Sequence, residues 1–266
     1  MYTFTSAELN ALVASLLWPL SRVLGLIATA PLFGNVSVPI QAKIGLGVML
    51  TLILIPLVPS LPAIDPLSLK GLLILAQQLI VGLGMGFAMR IVFAAVEMAG
   101  EIISMTMGLS FATFFDPQSQ GQSTAISQFL ALLITMTFLS INGHLLMLSV
   151  LADSFFALPI SATPLDGNLF HQLVEWGGKI FSAGVQLSLP VIAALLITNI
   201  ALGILTRASP QLNLFGIGFP ITLSVGFVVI ALVLPYLAIP VERFFQEGFD
   251  AMKKISLSTE NHAKSP

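Results

Sequence analysis

Leu-Ile-Val-Gly-Leu-Gly-Met-Gly-Phe-Ala-Met-Arg-Ile-Val-Phe-Ala-Ala-Val-Glu-Met-Ala-Gly-Glu, residues 79–101, carries three charges, Arg90, Glu97 and Glu101, in an otherwise apolar run. The largely apolar character extends outward to about residues 69 and 109, with no turn signal between its two halves beyond glycines at 82, 84 and 86. Roughly 20 apolar residues suffice to cross hydrocarbon at about 1.5 Å per residue, so the region reads as one long helix or a tight pair. The same criterion marks about seven runs in all, near residues 11–33, 44–61, 69–89, 91–109, 126–151, 179–205 and 215–239, or six if the third and fourth merge. The fold class is an all-α membrane protein with about six or seven apolar helices.

Composition agrees. The 266 residues are 56% hydrophobic and 8% charged, against roughly 25% charged in an ordinary soluble domain. A net charge of −2 with scattered basic residues leaves no electrostatic footprint for nucleic acid. Cysteine is absent, which removes disulfides, thiolate nucleophiles and Cys-based metal sites. The first ten residues hold Glu8 and no Lys or Arg, so the basic start of a cleavable signal is missing and the first apolar run is expected to be retained. No repeat or linker is visible, and residues 1–266 read as a single membrane domain.

Basic residues near segment ends set an orientation, because Lys and Arg are retained on the cytoplasmic side. With the amino end outside, Lys43, Arg90, Lys179, Arg243, Lys253, Lys254 and Lys264 lie at cytoplasmic ends, against Lys70 and Arg207 outside. Residues 241–266 then form a cytoplasmic tail that starts as an amphipathic helix. Residues 152–178 read as a turn followed by a polar-faced helix over residues 168–176. Residues 108–125 differ from the other connections in being rich in both Phe and small polar residues.

A charge inside an apolar helix costs at least a few kcal/mol without a partner. Spacings of seven and four residues place Arg90, Glu97 and Glu101 on one helical face. Such a face suits either a proton or ion relay in a secondary transporter or a structural ion pair, and the structural reading is favoured. Arg22, inside the first apolar run, is expected to pair with a carboxylate from another helix or subunit. Together these four form the expected buried charge network. Met85, Met89, Met98, Met105 and Met107 read first as core filling and second as a deformable seal. Gly82 and Gly86 carry a small-residue spacing that permits close helix approach, weak evidence for oligomerisation.

Enzyme signatures fail in turn. There is no H-E-x-x-H, G-x-S-x-G or G-x-x-x-x-G-K, and His171 with Glu175 at helical spacing lacks a third ligand. No catalytic, cofactor-binding or metal site is assigned.

Three blocks carry a family resemblance. Gly-Leu-Ser-Phe-Ala-Thr-Phe-Phe-Asp-Pro, residues 108–117, resembles the central loop of the FliR family, export-gate components of flagellar type III secretion related to the injectisome SctT-type subunit. Arg-Val-Leu-Gly-Leu-Ile-Ala-Thr-Ala-Pro-Leu-Phe-Gly, residues 22–34, is similar to the family's amino-terminal helix and turn. Arg-Ala-Ser-Pro-Gln-Leu-Asn-Leu-Phe-Gly-Ile-Gly-Phe-Pro, residues 207–220, resembles the turn between its last two helices.

The resemblance implies one copy completing a helical ring with FliP and FliQ subunits, in which the helices are arranged as hairpins. The early part of the chain would be FliP-like, and residues 179–240 would form a FliQ-like hairpin. FlhB would attach at the cytoplasmic side, with unfolded export substrates in transit, in the bacterial inner membrane at the flagellar basal body. It further implies that the helices need not cross lipid as hydropathy suggests. Residues 108–121 would plug the closed pore, with Phe111, Phe114 and Phe115 as the apolar obstruction, Gly108 and Gly121 as hinges, and Asp116 and Pro117 setting a turn. From composition alone, that stretch reads as an ordinary interhelical loop.

Overall fold

The computed structural model describes residues 6–59, 61–62, 64–109, 123–163, 168–209 and 214–257. Regular structure among them is helical throughout: α1 (Ser6–Thr29), α2 (Ile40–Leu54), α3 (Leu69–Met107), α4 (Ala125–Ser140), α5 (Gly143–Ala157), α6 (Asn168–Gly177), α7 (Lys179–Ala208), α8 (Phe219–Val233) and α9 (Ala238–Leu257). Short 3-10 turns, Ile55–Leu57 and Leu234–Leu237, extend α2 and α8. Five segments are long and apolar enough to cross a membrane, or six if α4 and α5 count as one broken span.

The apolar runs at 69–89 and 91–109 are one helix, α3, of 39 residues. At about 1.5 Å per residue it is about 58 Å long, nearly twice the hydrocarbon thickness of about 30 Å. Arg90 therefore does not end a segment; the helix runs on through it. The run at 126–151 goes the other way and breaks in two, because Asn142 adopts a left-handed backbone with φ 55° between α4 and α5, a conformation that Asn tolerates better than most side chains. After the break α5 continues to Ala157, so the connection expected from residue 152 starts later. The polar-faced helix expected at 168–176 is α6.

The chain divides into two compact units: residues 1–91, 142–177 and 245–266 in the first, and residues 92–141 and 178–244 in the second. In the first unit α1 and the leading part of α3 run parallel. Contacts ascend together along both helices, from Trp18 Nε1 donating to the Gly71 carbonyl (3.3 Å) to Thr29 Oγ1 donating to the Leu83 carbonyl (3.0 Å). Glycines make this approach possible. A Cβ on Gly25 would lie 2.6 Å from the Leu79 carbonyl oxygen, and a Cβ on Gly82 would meet the Arg22 carbonyl. Gly86 likewise faces Thr29, Leu26 and Ala30, so the small-residue spacing at 82 and 86 serves packing within the chain. Met85 and Met89 are fully buried there, as core filling requires. The amphipathic reading of the tail holds: α9 buries Phe245, Phe249, Met252 and Ile255 and exposes Arg243, Asp250, Lys253 and Lys254.

In the second unit, the rest of α3 packs with α4, α7 and α8. Phe93 and Phe138 meet edge to face at 5.5 Å. Gly100 lies against Ser127, Gly184 against Met98, and Gly226 against Met107, where a Cβ would sit 2.6 Å from the Met107 Cε. An apolar cavity of about 190 Å³ is lined by α3, α4, Leu187 and residues 234–241. α7 and α8 are consecutive helices in mutual contact, while Leu189, Leu196, Ile197, Ile200 and Ile204 of α7 remain exposed. α2 in the first unit similarly exposes Ile40, Ile44, Met49, Leu52 and Ile53. Apolar faces of this extent mark contact with lipid or other protein.

Gly25→Ala should lower stability by about 1–3 kcal/mol through overpacking. Gly45→Ala, where nothing lies within 4 Å, should be neutral or stabilising by up to about 1 kcal/mol. Thermal unfolding of the two variants in the same detergent separates the cases.

Candidate functional site

The Phe-rich connection leaves and re-enters the described chain at two built anchors, both in the second unit. At the leaving end, Gly108 takes a left-handed backbone with φ 85°, which ends α3 at little steric cost for a residue without a Cβ. Its N–H donates to the Met105 carbonyl (3.1 Å). Just before it, Met107 is fully buried against α8, and its carbonyl accepts from Thr222 Oγ1 at 3.5 Å.

At the re-entering end, Thr124 is the N-cap of α4 and its Oγ1 accepts from the Ser127 N–H. The same oxygen accepts from Ser104 Oγ (2.7 Å), and the Thr124 N–H donates to Glu101 Oε1 (3.0 Å). Ser127 Oγ donates to the Glu97 carbonyl (2.9 Å). The Glu101 carboxylate thus sits at the positive end of the α4 dipole, where negative charge is favourable, and ties the foot of the loop to α3. Phe111, Phe114, Phe115, Asp116, Pro117 and Gly121 lie outside the described residues.

Arg22 is fully buried in the first unit, where other helices of the same chain meet it. Its Nε donates to Gln78 Oε1 (2.8 Å), Nη1 to the Ser154 carbonyl (2.8 Å) and Oγ (3.1 Å), and Nη2 to the Leu158 carbonyl (2.8 Å). Its guanidinium carbon stands 4.4 Å from the centroid of the Phe155 ring, within cation–π range. The expected carboxylate partner is therefore replaced by an amide, a hydroxyl, two carbonyls and an aromatic face. Leu158 is the C-cap of α5, whose last turn has no basic residue of its own. Arg22 supplies from α1 the positive charge that a helix C-terminus attracts; its fork bonds the Leu158 carbonyl at the cap and shares the Ser154 carbonyl with the Leu158 N–H (2.9 Å).

The remaining charges do not form one network with Arg22. Arg90 is exposed in the first unit, whereas Glu97 and Glu101 are half-buried in the second. The three share a face of α3, yet no ion pair joins them among the described residues. His171 and Glu175 pair at 3.2 Å on the exposed side of α6, a contact worth little in water. Trp176, beside them, donates its Nε1–H to the Ala88 carbonyl at 2.8 Å.

The family described as "Bacterial export proteins, family 1" matches residues 13–248. The chain is 44% identical over 255 residues to "Flagellar biosynthetic protein FliR" of Pectobacterium carotovorum subsp. carotovorum, covering 96% of this chain and 97% of that protein. It is 45% identical over 240 residues to the Escherichia coli (strain K12) protein of the same name, covering 90% and 91%. With the Bacillus subtilis (strain 168) FliR it shares 30% identity over 237 residues, covering 88% and 91%. This chain belongs to the FliR family of bacterial export proteins.

Within this FliR-family fold, the residues that sequence reasoning missed are the neutral ones. Gln78, Ser154 and Ser104 are uncharged polar side chains inside apolar helices and Thr124 stands where a polar stretch meets one; a polar group inside an apolar run was the available signal for a buried partner. Replacing Arg22 by Lys should destabilise the chain nearly as much as Arg22→Ala, by about 2–4 kcal/mol, because one ammonium cannot serve four divergent acceptors on three residues; unfolding in detergent measures both. Glu101→Ala should speed amide hydrogen exchange at Thr124, while Glu101→Gln, which keeps an acceptor, should leave it near the unsubstituted rate.

Proposed function

We propose that the chain is a structural and gating subunit of the flagellar type III protein export channel, present as one copy with FliP and FliQ subunits, with FlhB at the cytoplasmic side. Family membership over residues 13–248 carries the export role. The uncovered apolar faces of α2 and α7 support burial against neighbouring subunits or lipid, and α3, too long for one simple crossing, supports helices that do not all act as plain spans. On this reading, residues 179–240 are the FliQ-like hairpin, and the complex resides in the bacterial inner membrane at the flagellar basal body. It conducts unfolded flagellar substrates and performs no bond chemistry of its own.

Residues 108–121 act as the plug of the closed pore. The support is mechanical: a segment that must move as a unit needs fixed feet and a hinge. Gly108 supplies a hinge in left-handed conformation, and the Glu101 and Ser104 contacts to Thr124 fix the other foot. The relay alternative through Arg90, Glu97 and Glu101 has less support, since Glu101 is engaged with the foot of the loop and Arg90 is exposed.

Isolated from native membrane, the complex should contain FliP and FliQ. In lipid bilayers, deletion of residues 108–121, or Ala at Phe111, Phe114 and Phe115 together, should raise its ion conductance severalfold. Unchanged conductance in assembled complexes of both variants removes the plug assignment, and a self-sufficient homo-oligomer with solute uptake removes the channel reading.

A further inference from the structure

Between α3, α4 and residues 234–241 the second unit leaves an apolar cavity of about 190 Å³. Two of its walls are helical stripes. α3 contributes Val96, Ala99 and Ile103, and α4 contributes Leu130, Ile134 and Thr137; steps of three and four residues put each set on one face of its helix. Val96, Ala99, Ile103, Leu130 and Ile134 are buried, as is Leu187 of α7, and they form the floor. Thr137, Leu234 and Leu237 are half-buried and Ala238 is exposed, which places the mouth between α4 and the 3-10 turn after α8.

The chemistry of the lining excludes water and ions. No charged residue lines the cavity, and Thr137 is the one polar side chain among the described residues that do. Its Oγ1 already donates to the Leu133 carbonyl at 2.9 Å. A held water needs about two to four polar partners, whereas apolar cavities of about 150 Å³ stay dry and take up benzene or xenon. The space also resists collapse. Ala99 is the small member of the α3 stripe, and on the third wall Pro235 in the 3-10 turn and Pro240 in the first turn of α9 fix the backbone φ.

We infer that this cavity is a binding site for a small uncharged apolar molecule, the size of a monocyclic aromatic or a short alkane. An occupant recovers dispersion contacts that the lining of a void lacks. The same lining offers a charged or strongly polar ligand nothing to replace its hydration. The inference does not rest on the plug or on the export role, because the walls are all residues outside 108–121.

The test uses the full chain in its native membrane complex, and alone, each in non-ionic detergent. Phenyldiazirine is added and photolysed, with and without excess toluene, and labelled peptides are mapped by mass spectrometry. Labelling within residues 96–103 and 130–137 should saturate and should fall severalfold with toluene. Labelling of the exposed α7 stripe at Ile197, Ile200 and Ile204 should rise linearly and ignore the competitor, as simple partitioning does. Pyrene, whose fused rings are too broad for the cavity, should not compete. Ala99→Leu should remove the competed labelling without lowering the unfolding temperature, and Ala99→Val, which adds less volume and less risk of overpacking, should remove part of it. Labelling of the cavity walls that never saturates, or that is undiminished in folded Ala99→Leu and Ala99→Val chains, overturns the inference. Saturable labelling of the isolated chain that is lost in the complex overturns it as well, since a partner subunit's side chain then fills the space.

Discussion

A guanidinium buried with no counter-ion among the described residues organises the first unit of this chain. Arg22 is anchored in α1, and its donors reach Gln78 on α3 and two carbonyls at the end of α5. Satisfying one cation therefore requires three helices to be in place at once. Removing any of them would strand a charge in an apolar interior, at a cost of several kcal/mol. The parallel seating of α1 on α3 meets the same demand from the backbone side, since Gly25, Gly82 and Gly86 let the helices approach closely enough for the side chain of Arg22 to span the gap. Charge neutralisation comes from dipoles: the carbonyl end of α5 and the face of Phe155 stand where a carboxylate was expected.

The second unit uses its polar groups differently. There, hydroxyls and one carboxylate are spent at the base of a single loop. Ser104, Glu101 and Thr124 join the end of α3 to the start of α4, while Met107 and Gly226 pack α8 against the same place. Much of the rest of the unit's core is apolar contact around an apolar cavity lined by α3, α4, Leu187 and residues 234–241.

Arg90, Glu97 and Glu101 show why spacing alone misled. Their spacing put them on one face, correctly, because a continuous α3 preserves the 3.6-residue period over its length. A shared face along about 16 Å of helix is not a shared environment. One residue meets the turn after α1, and another meets the foot of a loop 20 and more residues away in sequence.

The sequence by itself determined the helical membrane class, the amphipathic tail helix, the family and the suspicion attached to Arg22 and to the Phe-rich connection, because these rest on composition, local periodicity and contiguous motifs. Only the tertiary structure decided that α3 is one helix, that residues 126–151 are two, that Gly82 and Gly86 seat α1, and that Arg22 is answered by neutral groups. The physical reason is common to all four. Helix continuity at glycine and the partner of a buried charge depend on which backbone comes within about 3 Å from a distant part of the chain, and hydropathy carries no record of that distance.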